Sequence, residues 1–303
     1  MESLCPFDDN VWIIGSKNRK IAVRSSHDIN LYNEGVYVLA KEMAAVFMRT
    51  LENMKQSKVD DLKALLKLTR WTLNFEFECP RHQHIVPLEN ERLVLIGLTG
   101  IHIPNSATSH PLLSAAVARY FDITTVVNDF KMYDKSELDF VCQRTATEWN
   151  TEGCVLVLLN EEQNVLDMVK VKSWWYILLR CIREKIRTMK SAEQLPRVRS
   201  AVISRIQTLS NAMNIPGTYS RCFMQYGCQF VDWLGETDEI GNFRRFQNVV
   251  DDYPLLWREF LHSKNLPTNE SLLQSPDVSI AQNSFARASR PLLVLMQGIP
   301  GIG

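Results

Sequence analysis

Two short apolar stretches around one polar turn constrain this chain most. Residues 154–159 (CVLVLL) and 165–171 (VLDMVKV) read as strands, and the turn between them is Asn160-Glu-Glu-Gln-Asn164. A hairpin of this kind is not stable alone and has to join a larger sheet. Side chains alternate along a strand, so Lys170 and Lys172 point to the same face. Two ammonium groups side by side repel unless an anion lies between them, and a triphosphate or an RNA phosphate satisfies that. Glu152 lies just before the first of these strands, so the hairpin can also bring a carboxylate beside the lysines. A carboxylate there can hold a divalent metal on the same phosphate.

The rest of the pattern is mixed. Residues 11–14 and 20–23 read as strands around a turn at 16–18, and 73–77, 85–88 and 92–97 read as further strands. Residues 32–54, 59–68 and 112–120 carry helical periodicity, within a mixed stretch from 106 to 140. From residue 174 to about 189 the pattern is helical, with Tyr176, Leu179, Ile182 and Ile186 on one side. Residues 198–213, 219–234 and 241–262 complete a helical region, and 263–290 is Ser/Asn/Pro-rich and reads as a linker. The fold class expected is α+β followed by an all-α accessory region.

The far end has its own signal. Residues 291–296 (PLLVLM) form a continuous apolar run, as a buried parallel strand does, and lead into Gly298-Ile-Pro-Gly301-Ile-Gly303. That hexamer fits G-x-x-x-x-G, the opening of a phosphate-binding P-loop, whose glycines let backbone N–H groups curl around phosphate oxygens. The lysine and hydroxyl residue that complete the motif are not in the chain, so Gly298, Gly301 and Gly303 read either as the stub of a kinase-like domain or as a glycine-rich tail.

Composition removes several classes. The 34 basic and 34 acidic side chains cancel, which excludes a uniformly basic nucleic-acid coat but not a local basic patch. No apolar run reaches the ~18–20 residues that span a bilayer, so no membrane is expected. The seven cysteines are scattered without C-x-x-C, and together with the lack of a secretory signal they point to reduced thiols in an intracellular, cytoplasmic or nuclear, protein. His82-x-His84 can ligate a metal but has no third ligand and reads as ordinary strand chemistry. No two Cys/His pairs have zinc-ligand spacing, so no zinc site is expected, and Cys222 and Cys228 read as core residues of a helix.

Three further segments join the hairpin: Asn74-Phe75-Glu76-Phe77-Glu78-Cys79-Pro80, running on to Ile85-Val-Pro87; Glu152-Gly153; and Ser16-Lys17-Asn18. The order E…EG…K-x-K resembles the covalent nucleotidyltransferase superfamily of ligases and capping enzymes, whose fold is ATP-grasp-like. The F-E-F-x-x-P block followed by I-V-P looks like the phage T4 RNA ligase 1 type. The resemblance covers residues 10–190 and implies an ATP-dependent RNA ligase. Such an enzyme forms lysyl-AMP, passes AMP to an RNA 5′-phosphate and seals it to a 3′-hydroxyl, with ATP and Mg²⁺ as cofactors and RNA as partner. It also implies roles. Glu76 would hydrogen-bond the ribose, and Phe75 or Phe77 would pack near adenine. Glu152 would bind the metal. Lys170 and Lys172 would grip the phosphates and act catalytically, and Lys17 would assist. A polynucleotide kinase domain often follows the ligase in this family, which fits the P-loop reading. The domains expected are therefore 1–190 for the nucleotidyltransferase, 191–262 for a helical accessory domain, 263–290 for a linker and 291–303 for the kinase stub.

One element of the family is absent. The nucleophile sits in K-x-x-G, roughly twenty residues before the Ser16-Lys17 element, and a nucleophile needs a fixed aim at phosphorus. No lysine here has glycine three positions later. The expectation is that the chain as it stands does not form lysyl-AMP, either as an incomplete ligase or as a relative that only binds nucleic acid or nucleotide. RNA contact has separate support. Between Lys170 and Arg205 there are ten basic residues and two acidic ones, with Arg180, Arg183 and Arg187 crowded on one helix. That stripe reads as a phosphate track or as a solvated face, with Trp174 and Trp175 beside it to stack bases or to fill the core.

Overall fold

The computed structural model describes residues 2–8, 10–100, 108–126, 131–134, 137–187, 191–236, 250–266 and 292–297. The first sheet is built from β1 (Glu2–Asp8), β2 (Val11–Gly15), β3 (Lys20–Val23), β4 (Trp71–Glu78) and β5 (Arg92–Gly100). Their order is β3-β2-β1-β4-β5, and every pair is antiparallel. One face of this sheet supplies Trp12, Ile14, Leu73, Phe75 and Phe77, all buried, because alternate strand positions point the same way. The helices α1 (Val38–Asn53) and α2 (Gln56–Thr69) cover them. Met43, Phe47 and Leu51 recur every four residues on α1 and meet the sheet, with the Phe47 ring edge-on to Trp12 at 5.1 Å. The helix α3 (Pro111–Tyr120) closes the same core through Val117 and Ala118.

The second sheet contains β6 (Lys131–Tyr133), β7 (Gly153–Leu159), β8 (Val165–Lys172) and β9 (Leu292–Gln297), in the order β6-β9-β7-β8. The helix α4 (Leu138–Thr147) lays Val141 against Cys154 and Leu156 of β7. A third layer is helical: α5 (Trp174–Ile186), α6 (Leu195–Met213), α7 (Gly217–Leu234) and α8 (Tyr253–Ser263). Gly227 on α7 lets these helices close up. A Cβ there would lie 2.9 Å from Val202 and 3.1 Å from Ile182.

The α+β class expected from the pattern is what the chain adopts. Several elements differ. Residues 85–88 form no strand, because Pro87 has no N–H to give a ladder and Ile85 and Val86 both turn into the helical core rather than alternating. The first long helix starts at Val38 instead of residue 32, after short 3₁₀ turns at Ser26–Leu31 and Gly35–Tyr37. The helix α5 shares its buried face with α6, α7 and α8, so the helical layer begins at Trp174 and not at 191. The strand expected to open a separate kinase domain pairs antiparallel with both β6 and β7, inside the second sheet. Gly298, Gly301 and Gly303, and most of the linker, lie outside the described residues. No helix among the described residues is long and apolar enough to cross a membrane.

Candidate functional site

The hairpin of β7 and β8 sets Val155 opposite Lys170 and Gly153 opposite Lys172. Gly153 has a φ of 127°, in the region that glycine alone adopts without strain. A Cβ there would fall 2.0 Å from the Val171 carbonyl oxygen and 2.8 Å from the Lys172 Cα. The chain can therefore fold tightly over β8 only with glycine at this position, and the turn it makes drives Glu152 inward.

Glu152 is 2% exposed, and its Oε1 lies 2.7 Å from Lys170 Nζ and 3.0 Å from Lys172 Nζ. The anion between the paired lysines is thus the protein's own carboxylate. The lysine side chains stay 45% and 25% exposed, so each shows one side to Glu152 and another to solvent. Two positive charges over one negative charge leave a net positive face. The Lys172 ammonium also sits 4.8 Å from the centroid of the Tyr176 ring, within cation–π range.

Ser173 fixes the exit from β8. Its hydroxyl donates to the Thr151 carbonyl at 2.7 Å and accepts from the Tyr176 N–H at 3.1 Å, capping α5. The Ser173 N–H donates to the Glu152 carbonyl at 2.9 Å. The segment before β7, the end of β8 and the start of α5 are therefore stitched at one buried serine. Tyr176 lies beneath, 1% exposed, with its phenol pushed up to about 12 by burial and then by the Glu152 charge.

The other expected site residues are distributed unevenly. Glu76 is on β4 in the first sheet, half-buried, on the face opposite Phe75 and Phe77. The expected adenine role of these two rings does not fit their placement. Phe75 and Phe77 are each 1% exposed and committed to the core beneath α1, with Phe75 6.4 Å from Phe47. Lys17 is exposed in the turn between β2 and β3, also on the first sheet. Glu152, Lys170 and Lys172 are the set the fold joins directly.

The expected RNA-contact residues on α5 divide. Arg180 is half-buried and lines the same groove as Tyr176, and Arg187 is exposed with a 2.9 Å ion pair to Glu184. Arg183 is 5% exposed and holds the Val250 carbonyl with Nε at 3.1 Å and Nη2 at 3.0 Å. It is a structural clamp on the segment before α8, not an RNA contact. Its spacing shows why: it falls four residues after Leu179, on the buried stripe. Trp175 is likewise core, and Trp174 packs 5.8 Å from Tyr219.

Sequence reasoning missed a groove of about 500 Å³ between α5 and α6 that starts at Lys172. Tyr176, Arg180, Lys185, Arg205 and Leu209 line it, with Glu184 as its acidic member. The signal was present, since the excess of basic residues runs as far as Arg205, but only the packing of α6 on α5 turns it inward to a common trough. His84 lies beside this end of α5. Burial, and after it the Arg183 and Arg180 charges, hold its imidazole below the usual value. No family model matches the chain, and no curated protein matches it.

Proposed function

We propose that this chain is the nucleotidyltransferase part of an ATP-dependent RNA ligase of the T4 RNA ligase 1 type, with Lys170 and Lys172 as the groups that hold and polarise a phosphate. The observation that carries this reading is the buried Glu152 beneath two partly exposed lysines. The carboxylate keeps both ammonium groups aimed. An arriving phosphate meets them preorganised and needs no repacking, which is where electrostatic catalysis gains most.

The donor set fits an anion better than a bare cation. Glu152 Oε1 already faces two ammonium groups, so a metal ion is held here only together with the charge of the triphosphate. ATP would bring Mg²⁺ on its own phosphate oxygens, with Glu152 as the protein carboxylate nearest to it, and the metal would supply further neutralisation of the phosphate charge. Glu76 on the neighbouring sheet is the candidate ribose partner. The groove between α5 and α6 gives the polynucleotide a positive path that begins at Lys172.

A second reading is a relative that binds RNA and nucleotide along the same basic groove without charging itself with AMP. The two readings separate on the last chemical step, which needs no lysine nucleophile. In that step a 3′-hydroxyl attacks the phosphorus of a 5′-adenylylated RNA, a phosphodiester forms, and AMP leaves. The test supplies 5′-adenylylated RNA, an acceptor with a 3′-hydroxyl and Mg²⁺, without ATP. Sealing that falls at least a hundredfold in Lys170→Ala supports the ligase. RNA binding without sealing supports the binding-only relative. Full sealing in Lys170→Ala, or no RNA binding at all, overturns the assignment.

A further inference from the structure

Glu42, Cys79 and His82 form a cluster that has no part in the phosphate site. Cys79 follows β4, and Pro80–His82 is a single 3₁₀ turn closed by the His82 N–H on the Cys79 carbonyl at 2.9 Å. This turn folds His82 back over Cys79, so the thiol and the imidazole of Cys79-Pro-Arg-His82 lie close together. Glu42 reaches them from α1, and its carboxylate hydrogen-bonds His82 Nε2. The three ligand atoms all lie within 4.8 Å of one another. Glu91, ahead of β5, adds a carboxylate oxygen 3.8 Å from Cys79 Sγ.

We propose that Cys79, His82 and Glu42, with Glu91 as fourth donor, bind one divalent cation of the zinc class. The donor set is one sulfur, one nitrogen and carboxylate oxygen, the chemistry of borderline-soft cations and not of Mg²⁺ or Ca²⁺. Tetrahedral zinc, with bonds of ~2.0–2.3 Å, sets its ligand atoms about 3.3–3.8 Å apart, so the His82–Glu42 hydrogen bond opens to admit the ion while side-chain rotations bring the rest of the set together. On binding, the Cys79 S–H bond breaks, the sulfur takes the metal and the proton goes to solvent.

Arg81, with Arg49 on the other oxygen of Glu91 at 2.6 Å, holds the place of the cation. Its guanidinium pairs with Glu91 and lies 3.5 Å from Glu42, yet the side chain is 63% exposed. An exposed arginine swings into water at little cost, so a metal displaces it without opening the core. The three structural parts tied together would be α1, the end of β4 and the approach to β5. The same loop carries Ile85 and Val86 to the helical core, so the metal would clip the first sheet to the helical layer.

The inference is independent of the ligase reading. The test titrates Co²⁺ into the reduced, chelator-stripped full chain. Expected are a near-ultraviolet thiolate-to-cobalt band and visible bands of tetrahedral cobalt, saturating at one ion per chain and bleached by Zn²⁺. Cys79→Ser removes the near-ultraviolet band, Glu42→Gln weakens binding, and Arg81→Ala tightens it about tenfold by removing the competing cation. His82→Ala, at a half-exposed ring, weakens binding with the fold intact and serves if Cys79→Ser does not fold. No thiolate band in the unsubstituted chain overturns the proposal. So does a band that persists in Cys79→Ser, or binding unchanged in both His82→Ala and Arg81→Ala.

Discussion

At the scale of single residues, polar groups at element ends set most of the local geometry. His110 caps α3 with its ring, and Nδ1 accepts the Leu112 N–H at 3.1 Å. An acceptor nitrogen must be unprotonated, and burial holds the imidazole below its usual value of 6.5. In the window between the folded pKa and 6.5 the unfolded chain binds more protons than the folded one. The stability this cap contributes is therefore present above about pH 6.5 and is lost as pH falls through the folded pKa. Urea denaturation across pH 5 to 8 should show that loss, and His110→Ser, which caps without titrating, should flatten it. An unchanged pH profile in His110→Ser would assign the titration to another group. Nothing in the sequence marked this histidine, because a cap is recognised only once the helix start is known.

At the scale of elements, the β7–β8 hairpin was legible almost residue by residue, while residues 85–88 were not. The hairpin has two short apolar runs around a turn of polar residues, and nothing competes with it. Residues 85–88 carry the same apolar composition, but Ile85 and Val86 pack into a core made by helices that begin about ninety residues later in the chain, and no local pattern encodes that. The Glu152-Gly153 dipeptide is the place where local and distant demands coincide. The glycine is needed for backbone closure, and the closure is what buries the glutamate. Gly153→Ala should therefore cost at least about 1–3 kcal/mol in stability, from the strained φ and the contact with the Val171 carbonyl. It should also weaken ATP binding, because Lys172 Cα is the next atom to be pushed. Chemical denaturation and nucleotide titration on the same preparation check both. Loss of stability with nucleotide affinity intact would separate the turn from the phosphate site.

At the scale of the whole molecule, the basic residues near α5 show why charge read along a chain misleads and charge read across packed helices does not. Arg180, Arg183 and Arg187 are equivalent in the sequence as a basic stripe. The helical core separates them by function, since Arg183 turns inward to hold Val250 and its place in the groove is taken by Lys185 and by Arg205 from the next helix. Each lysine or arginine that neutralises a phosphate of a single strand contributes about 0.7 to the slope of log affinity against log salt. Arg180→Ala combined with Arg205→Ala should therefore lower the slope for single-stranded RNA by about 1.4, with little change in melting temperature. Arg183→Met should behave in the opposite way. It removes the donors from the Val250 carbonyl and lowers the melting temperature, while the salt slope stays unchanged. Filter binding at several salt concentrations, with thermal unfolding of each variant alongside, measures both quantities. A slope untouched by the double variant would move the RNA path off the α5–α6 groove, and a slope reduced by Arg183→Met would overturn its reading as a clamp.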